Sequence, residues 1–255
     1  MIFFTDYPFV VFVISFLLLW SSALFGAYVL RKKQILGADT RDGFGVIQGA
    51  TLSLLALLIG FSFSMSIGRY DQRKNYEAEE ANAIGTEYLR VDMLAEKDAV
   101  KVRTMLKDYV DLRILFYTTH NKQEVKKINE RTAKLQAELW AAVRDPAKAQ
   151  PIPTVTLAVS GMNDVLNSQA YSQAAWWNRI PVMANVLMTL IAMFGNAMFG
   201  YASRNPESEN RLFLILPLII SISFLLVMDI DSPNWGIIRV VPDNLISLAT
   251  SLNGK

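Results

Sequence analysis

Cysteine is missing from these 255 residues, which excludes disulfides, iron–sulfur clusters and thiolate metal sites and leaves the redox compartment unread. Histidine occurs once, as His120 in Thr118-Thr119-His120-Asn121, which reads as a helix-end loop. No histidine-based catalytic set can be assembled, and the chain has no Gly-rich phosphate loop and no metal-ligand spacing. Neither an enzyme nor a cofactor nor a metal is expected. Net charge is also scarce: 25 Lys and Arg stand against 23 Asp and Glu, too even a balance to argue for nucleic acid. Residues 1–30 lack the basic start and small-residue cleavage site of a signal peptide, so the first apolar run is expected to be a retained transmembrane helix.

What the chain has is apolar surface. Hydrophobic residues make up 52% of it, gathered in four runs at 9–30, 46–68, 182–202 and 211–230 with no charge in their central parts. Each approaches the ~20 residues that span a bilayer. The expected fold is all-α: four transmembrane helices with a soluble helical domain inserted between the second and third. The expected division is a first transmembrane hairpin over 1–68, a helical extramembrane domain over 69–181, a second hairpin over 182–231, and a C-terminal tail over 232–255 with a short amphipathic helix. An integral membrane protein fits this pattern, with the lipid bilayer as its first partner.

Arg31-Lys32-Lys33 closes the first span, and a loop from Gly37 to Gly45 leads into the second. The third and fourth are joined by Ser203-Arg204-Asn205-Pro206-Glu207-Ser208-Glu209-Asn210, in which Pro206 is a helix stop. Pro217 lies inside the fourth span and is expected to kink it. The short loops carry Arg31, Lys32, Lys33, Arg41, Arg204 and Arg211, against Arg69, Arg73, Lys74, Arg179 and Arg239 at the opposite membrane ends. By a narrow margin this favours cytoplasmic loops and an extracytoplasmic middle domain.

The middle segment has helical periodicity. Val102, Met105, Leu106, Tyr109, Leu112, Arg113 and Phe116 share one face. Val125, Ile128, Thr132, Leu135, Leu139 and Val143 share another, and Val155, Val159, Met162, Leu166, Gln169, Gln173, Trp176 and Ile180 a third. Breaks are expected near Ala95–Asp98, Thr118–Lys122 and Asp145–Pro153. No breaker follows residue 69, so the second span is expected to run on as one helix through 70–94. Beyond the last span, Asp231-Ser232-Pro233-Asn234 reads as a turn and Trp235 as a headgroup-boundary residue. Leu245, Leu248 and Leu252 mark a tail helix, placed either in the interface or on the helical bundle.

The second span has two faces. Gly49, Ser53, Ala56, Gly60 and Ser64 form a small-residue ridge suited to helix–helix packing. Gln48, Thr51, Ser62 and Ser66, interrupted by Leu55 and Ile59, form a polar stripe that suits a pore with an apolar gate. The same hydroxyls equally well bond carbonyls of their own or a neighbouring helix. Asn185, Thr189 and Asn196 make a rival stripe on the third span; asparagines at membrane depth need partners. Arg69, Asp71 and Arg73 end the second span and Asp229 and Asp231 the fourth, as a pore-mouth charge cluster or a clasp between helix ends, with Arg69 or Arg73 as the expected partner of Asp229. Glu77, Glu79, Glu80 and Glu87 look like solvated carboxylates paired with Arg73 and Lys74.

The motifs Arg69-Tyr70-Asp71-Gln72-Arg73-Lys74, Glu80-Ala81-Asn82-Ala83-Ile84-Gly85-Thr86-Glu87-Tyr88-Leu89-Arg90, Tyr109-Val110-Asp111-Leu112-Arg113 and Asp229-Ile230-Asp231-Ser232-Pro233, followed by Gly236 and Arg239-Val240, resemble those of a bacterial family of four-span "bestrophin-like" membrane proteins of unknown function. The resemblance implies an analogy with bestrophins, pentameric anion channels whose second membrane helix lines the pore. It also implies a cytosolic helical domain, against the charge rule. The aromatic run of the bestrophin neck is missing here. The expected function is a homo-oligomeric ion channel, its permeant inorganic ion undetermined. The alternative is a non-conducting scaffold or envelope sensor whose helical domain binds a partner. No internal repeat supports a transporter.

Overall fold

In this computed structural model the described residues are 7–30, 38–203, 212–233 and 236–254. Arg31, Lys32, Lys33, Arg204, Pro206, Arg211 and Trp235, on which several expectations rest, lie outside them. Every regular element among the described residues is helical. The order is α1 (Pro8–Leu24), passing into a π-helical segment (Phe25–Leu30), α2 (Ala38–Arg90), a 3-10 turn (Val91–Met93), α3 (Glu96–Thr118), α4 (Lys122–Ala149), α5 (Pro153–Trp177), α6 (Val182–Ala202), α7 (Leu212–Asp231) and α8 (Asp243–Leu252).

Local chemistry explains several boundaries. Pro8 and Pro153 open α1 and α5 at positions where a missing N–H costs nothing. Asn121 caps α4, its Oδ1 accepting the N–H of Gln123 at 2.8 Å and of Glu124 at 3.4 Å. The break expected near Asp145–Pro153 falls at 150–152: α4 runs through Pro146 to Ala149, and α5 starts at Pro153. Pro217 is accommodated inside the continuous α7. α2 is one helix of 53 residues, as the absence of a breaker after residue 69 predicts.

The chain divides into two compact units, Met1–Gly68 with Arg179–Ile238, and Arg69–Asn178 with Arg239–Lys255. Among the described residues four helices are long and apolar enough to cross a membrane, and the protein is an integral membrane protein. In the first unit α1 packs on α6 and α7, and Leu19, Leu55, Met188, Ala192, Ile220 and Phe224 form its main buried cluster. The closest backbone approach lies between α1 and α6. A Cβ on Gly26 would overlap the Ala197 carbonyl, and one on Gly200 would overlap the Ala23 carbonyl. That is the small-residue packing of membrane helices, and it falls on these two glycines. Gly49 and Gly60 of the α2 ridge, expected to pack this way, have open space where a Cβ would stand.

In the second unit α3 packs on α4 and α8, and α4 on α5. Val102, Leu106, Tyr109, Leu139, Val143, Met162 and Leu245 belong to one buried core. On α5 the expected face is partly borne out: Val155, Met162 and Trp176 are buried and Val159, Leu166, Gln169 and Gln173 half-buried, while the buried side extends to Ala158, Gly161, Val165, Ser168, Ser172 and Ala175. The tail helix α8 docks here, with Leu245 fully buried. His120 is exposed in the α3–α4 loop.

Candidate functional site

The membrane-spanning part of α2 carries the predicted pore residues. Leu55, at 2% exposure, belongs to the buried cluster, and Ile59 packs against it. Ser62 donates to Met188 Sδ at 3.2 Å, and Ser66 to the Val227 carbonyl at 3.2 Å. Thr51 bonds its own helix at the Ile47 carbonyl, 2.8 Å, and Gln48 is half-buried. This stripe is thus the packing face within the chain. The opposite face, with Gly49, Ser53, Ala56, Gly60 and Ser64, is exposed, interleaved with Leu54, Leu57, Phe61 and Met65. The two faces take the reverse of the roles expected of them inside the chain, because the hydroxyls find carbonyl and thioether acceptors there.

The rival stripe also turns inward on itself. Thr189 donates to the Asn185 carbonyl at 2.8 Å, and Asn196 Nδ2 to the Ala192 carbonyl at 2.8 Å with no solvent exposure. The Thr189 hydroxyl is thus satisfied within α6, whereas Asn185 Nδ2 reaches Met228 Sδ of α7 at 3.9 Å and the Oδ1 atoms of Asn185 and Asn196 are buried without a hydrogen-bond partner among the described residues.

At the end of α7 both carboxylates bond main-chain N–H groups. Asp229 Oδ1 accepts Ile237 N–H at 2.7 Å and Oδ2 accepts Ile238 N–H at 2.9 Å. A Cβ on Gly236 would overlap the Asp229 carbonyl, so the turn requires glycine. Asp231 Oδ2 accepts the Ile180 N–H at 3.1 Å. Asp229 and Asp231 are 6% and 5% exposed. In the helical unit, Arg69 is half-buried and Asp71 exposed. Arg73 is buried, and its Nε donates to the Ala175 carbonyl at 3.3 Å.

The carboxylates of α2 correct the expectation of a solvated cluster. Glu77, Glu80 and Glu87 have no solvent exposure; only Glu79 is exposed. Glu80 takes Arg113 of α3 in a bidentate pair, Nε to Oε1 and Nη2 to Oε2 at 3.3 Å. Arg113 Nη2 reaches Ser172 Oγ at 3.5 Å, which also bonds the Tyr117 hydroxyl at 2.7 Å. The guanidinium lies 4.5 Å over the Phe116 ring. Burial alone would lower the pKa of Arg113, but the charge and hydrogen bond of Glu80, together with Tyr109 and Tyr117, outweigh it and the pKa is raised. Burial, and then the Glu80 charge, push the Tyr109 and Tyr117 hydroxyls above their ordinary range. Glu77 closes the start of α8, its Oε1 accepting Leu245 N–H at 2.9 Å and its Oε2 Asn244 Nδ2 at 2.6 Å, a carboxylate placed where a helix N-terminus favours one. The sequence signal missed here was Arg113 on an apolar face, which requires a buried acid opposite it.

Among the described residues no group of three His, Cys, Asp or Glu is placed to hold a metal ion. No curated protein matches this chain. Solved structures do. A bacterial bestrophin homologue from Klebsiella pneumoniae, as a single-residue variant, aligns over 96% of this chain and 97% of its own, with TM-score 0.63 and 12% identity. The same homologue phased on zinc aligns over 96% of both chains, with TM-score 0.63 and 12% identity. A variant described as a membrane protein aligns over 95% of this chain and 97% of its own, with TM-score 0.64 and 12% identity. At that identity they establish a shared fold. A Bestrophin-like domain matches residues 12–245, and the chain belongs to the bestrophin-like family.

Proposed function

We propose that this protein is a homo-oligomeric ion channel of the bacterial inner membrane, with its pore lined by the second span. The observation that carries this reading is the burial of α2. Only 6% of its most apolar membrane window is covered within the chain, against 50% for α7. One side of α2 is packed through Leu55, Ser62 and Ser66, while its small-residue side has no covering partner among the described residues. Copies arranged around an axis would enclose that side. Ser53 and Ser64 then supply hydroxyls to the path, Gly49 and Gly60 expose backbone to it, and Leu57 supplies the apolar constriction first sought at Leu55 and Ile59. The inward hydroxyls of Ser62 and Ser66 hold the lining helix in place from behind.

A planar bilayer containing the purified protein, under an asymmetric potassium chloride gradient, tests this. Protein-dependent current supports the channel, and the sign of its reversal potential identifies the permeant ion as anion or cation. Silence across voltage, pH and calcium favours the second reading, a membrane scaffold or envelope sensor. That reading draws on the exposed Leu89, Leu157, Tyr171 and Trp177 of the helical unit, a surface suited to a partner.

A further inference from the structure

Glu87 stands on the inner side of α2 with no solvent exposure, and among the described residues neither of its carboxylate oxygens has a hydrogen-bond donor. An ionised carboxylate in such a place is costly, and the group holds a proton instead. Burial raises its pKa to about 8, with Arg90 opposing the rise and Asp164 adding to it. Gly161 of α5 makes the room. A Cβ there would overlap the Glu87 carboxylate and lie 2.8 Å from Arg90 Nη1, so both side chains crowd one spot on α5. Arg90 nevertheless gives its bond to Asp164 Oδ2 at 3.4 Å, a side chain 58% exposed. One guanidinium thus stands between two carboxylates, the first buried and bare, the second solvated and bonded. Asp92, in the turn after α2, and Arg103 of α3 are paired with each other.

We propose that Glu87, Arg90 and Asp164 form a proton-operated switch in the helical unit: Arg90 holds Asp164 while Glu87 is neutral, and turns to Glu87 when its proton leaves to solvent. The ionised carboxylate then gains the donors it lacks, three residues away on its own helix, where side chains are neighbours. The exposed Asp164 returns to water, and α5 loses its ion pair to α2. The inference rests on the helical unit alone and is independent of the channel reading.

The test is an infrared pH titration of the full-length protein in lipid nanodiscs, following the C=O stretch of protonated carboxyl groups. The wild type should lose a band with a midpoint near pH 8, and Glu87→Gln should lack that band. Asp164→Asn should move the midpoint down, since it removes a like charge and frees the guanidinium. A band that survives Glu87→Gln, or no band at all, overturns the proposal; so does a midpoint unmoved by Asp164→Asn. Should Glu87→Gln fail to fold, hydrogen exchange across residues 153–165 decides. Protection factors, taken relative to the base-catalysed intrinsic rate, that drop above the midpoint in the wild type and at lower pH in Asp164→Asn support the switch. Protection factors indifferent to pH reject it.

Discussion

Asp231 Oδ2 accepts the main-chain N–H of Ile180 at 3.1 Å, fastening the end of α7 to the approach to α6. Asp229 closes the following turn through Ile237 and Ile238. Asp229→Ala removes the acceptor of two N–H groups at once. Hydrogen bonds to a charged group contribute about 1.5–3 kcal/mol each, so the melting temperature in detergent should fall by several degrees, with Asp229→Asn intermediate. The reversal potential of the folded variant should match the wild type, as expected of a clasp and not of a selectivity ring.

The Glu80–Arg113 pair is fully buried. Breaking one side of such a pair costs about 3–5 kcal/mol, because a charge remains inside without its counterpart, whereas an apolar replacement of both is far less damaging. Arg113→Met should therefore destabilise the protein severely, and Glu80→Leu with Arg113→Met should recover much of the loss. A double-mutant cycle on thermal or denaturant unfolding measures this. Additive losses would show that the two side chains act separately.

Gly26→Ala and Gly200→Ala each drive a methyl group into a facing carbonyl. Overpacking of this kind costs about 1–3 kcal/mol, and both variants should lose yield and monodispersity in size-exclusion chromatography. Gly60→Ala, with open space at its Cβ, should leave the fold of the single chain intact.

Stability should also depend on pH through Glu87. Its folded pKa, about 8, lies above its ordinary 4.5, so between those values the native state binds more protons than the unfolded state. Stability therefore falls as pH rises through that window and levels off above about 8. Melting curves from acidic to alkaline pH should show this decline, and Glu87→Gln should flatten it. Parallel profiles would mean that Glu87 ionises as freely as it does in an unfolded chain.

Much of this architecture is legible without coordinates. Apolar runs of bilayer length mark the four spans, and the lack of a breaker after Arg69 announces the long α2. The expected gaps at Ala95–Asp98 and Thr118–Lys122 match the starts of α3 and α4. The assignment of faces was less accessible. A serine at membrane depth has the same pattern whether it meets water or, like Ser66, a carbonyl on another helix, and only the neighbour decides. Glu87 and Glu80 lie seven residues apart on one helix face and look alike in sequence. One is met by Arg113 and the other by Gly161, both far along the chain. Gly26 and Gly200 belong to no motif within their own spans; their meaning lies in the crossing of α1 and α6.

The absence of cysteine makes the central claim, that the exposed face of α2 lines the conducting path, directly testable. Single cysteines at Ser53, Gly60 and Ser64, and as controls at Ser62 and Ser66, would be challenged with a charged, water-soluble thiol reagent while current is recorded across a planar bilayer. The proposed geometry predicts rapid, irreversible change in current for Ser53→Cys, Gly60→Cys and Ser64→Cys, and none for Ser62→Cys or Ser66→Cys. Modification of the Ser62→Cys and Ser66→Cys channels with the exposed-face variants untouched would contradict it.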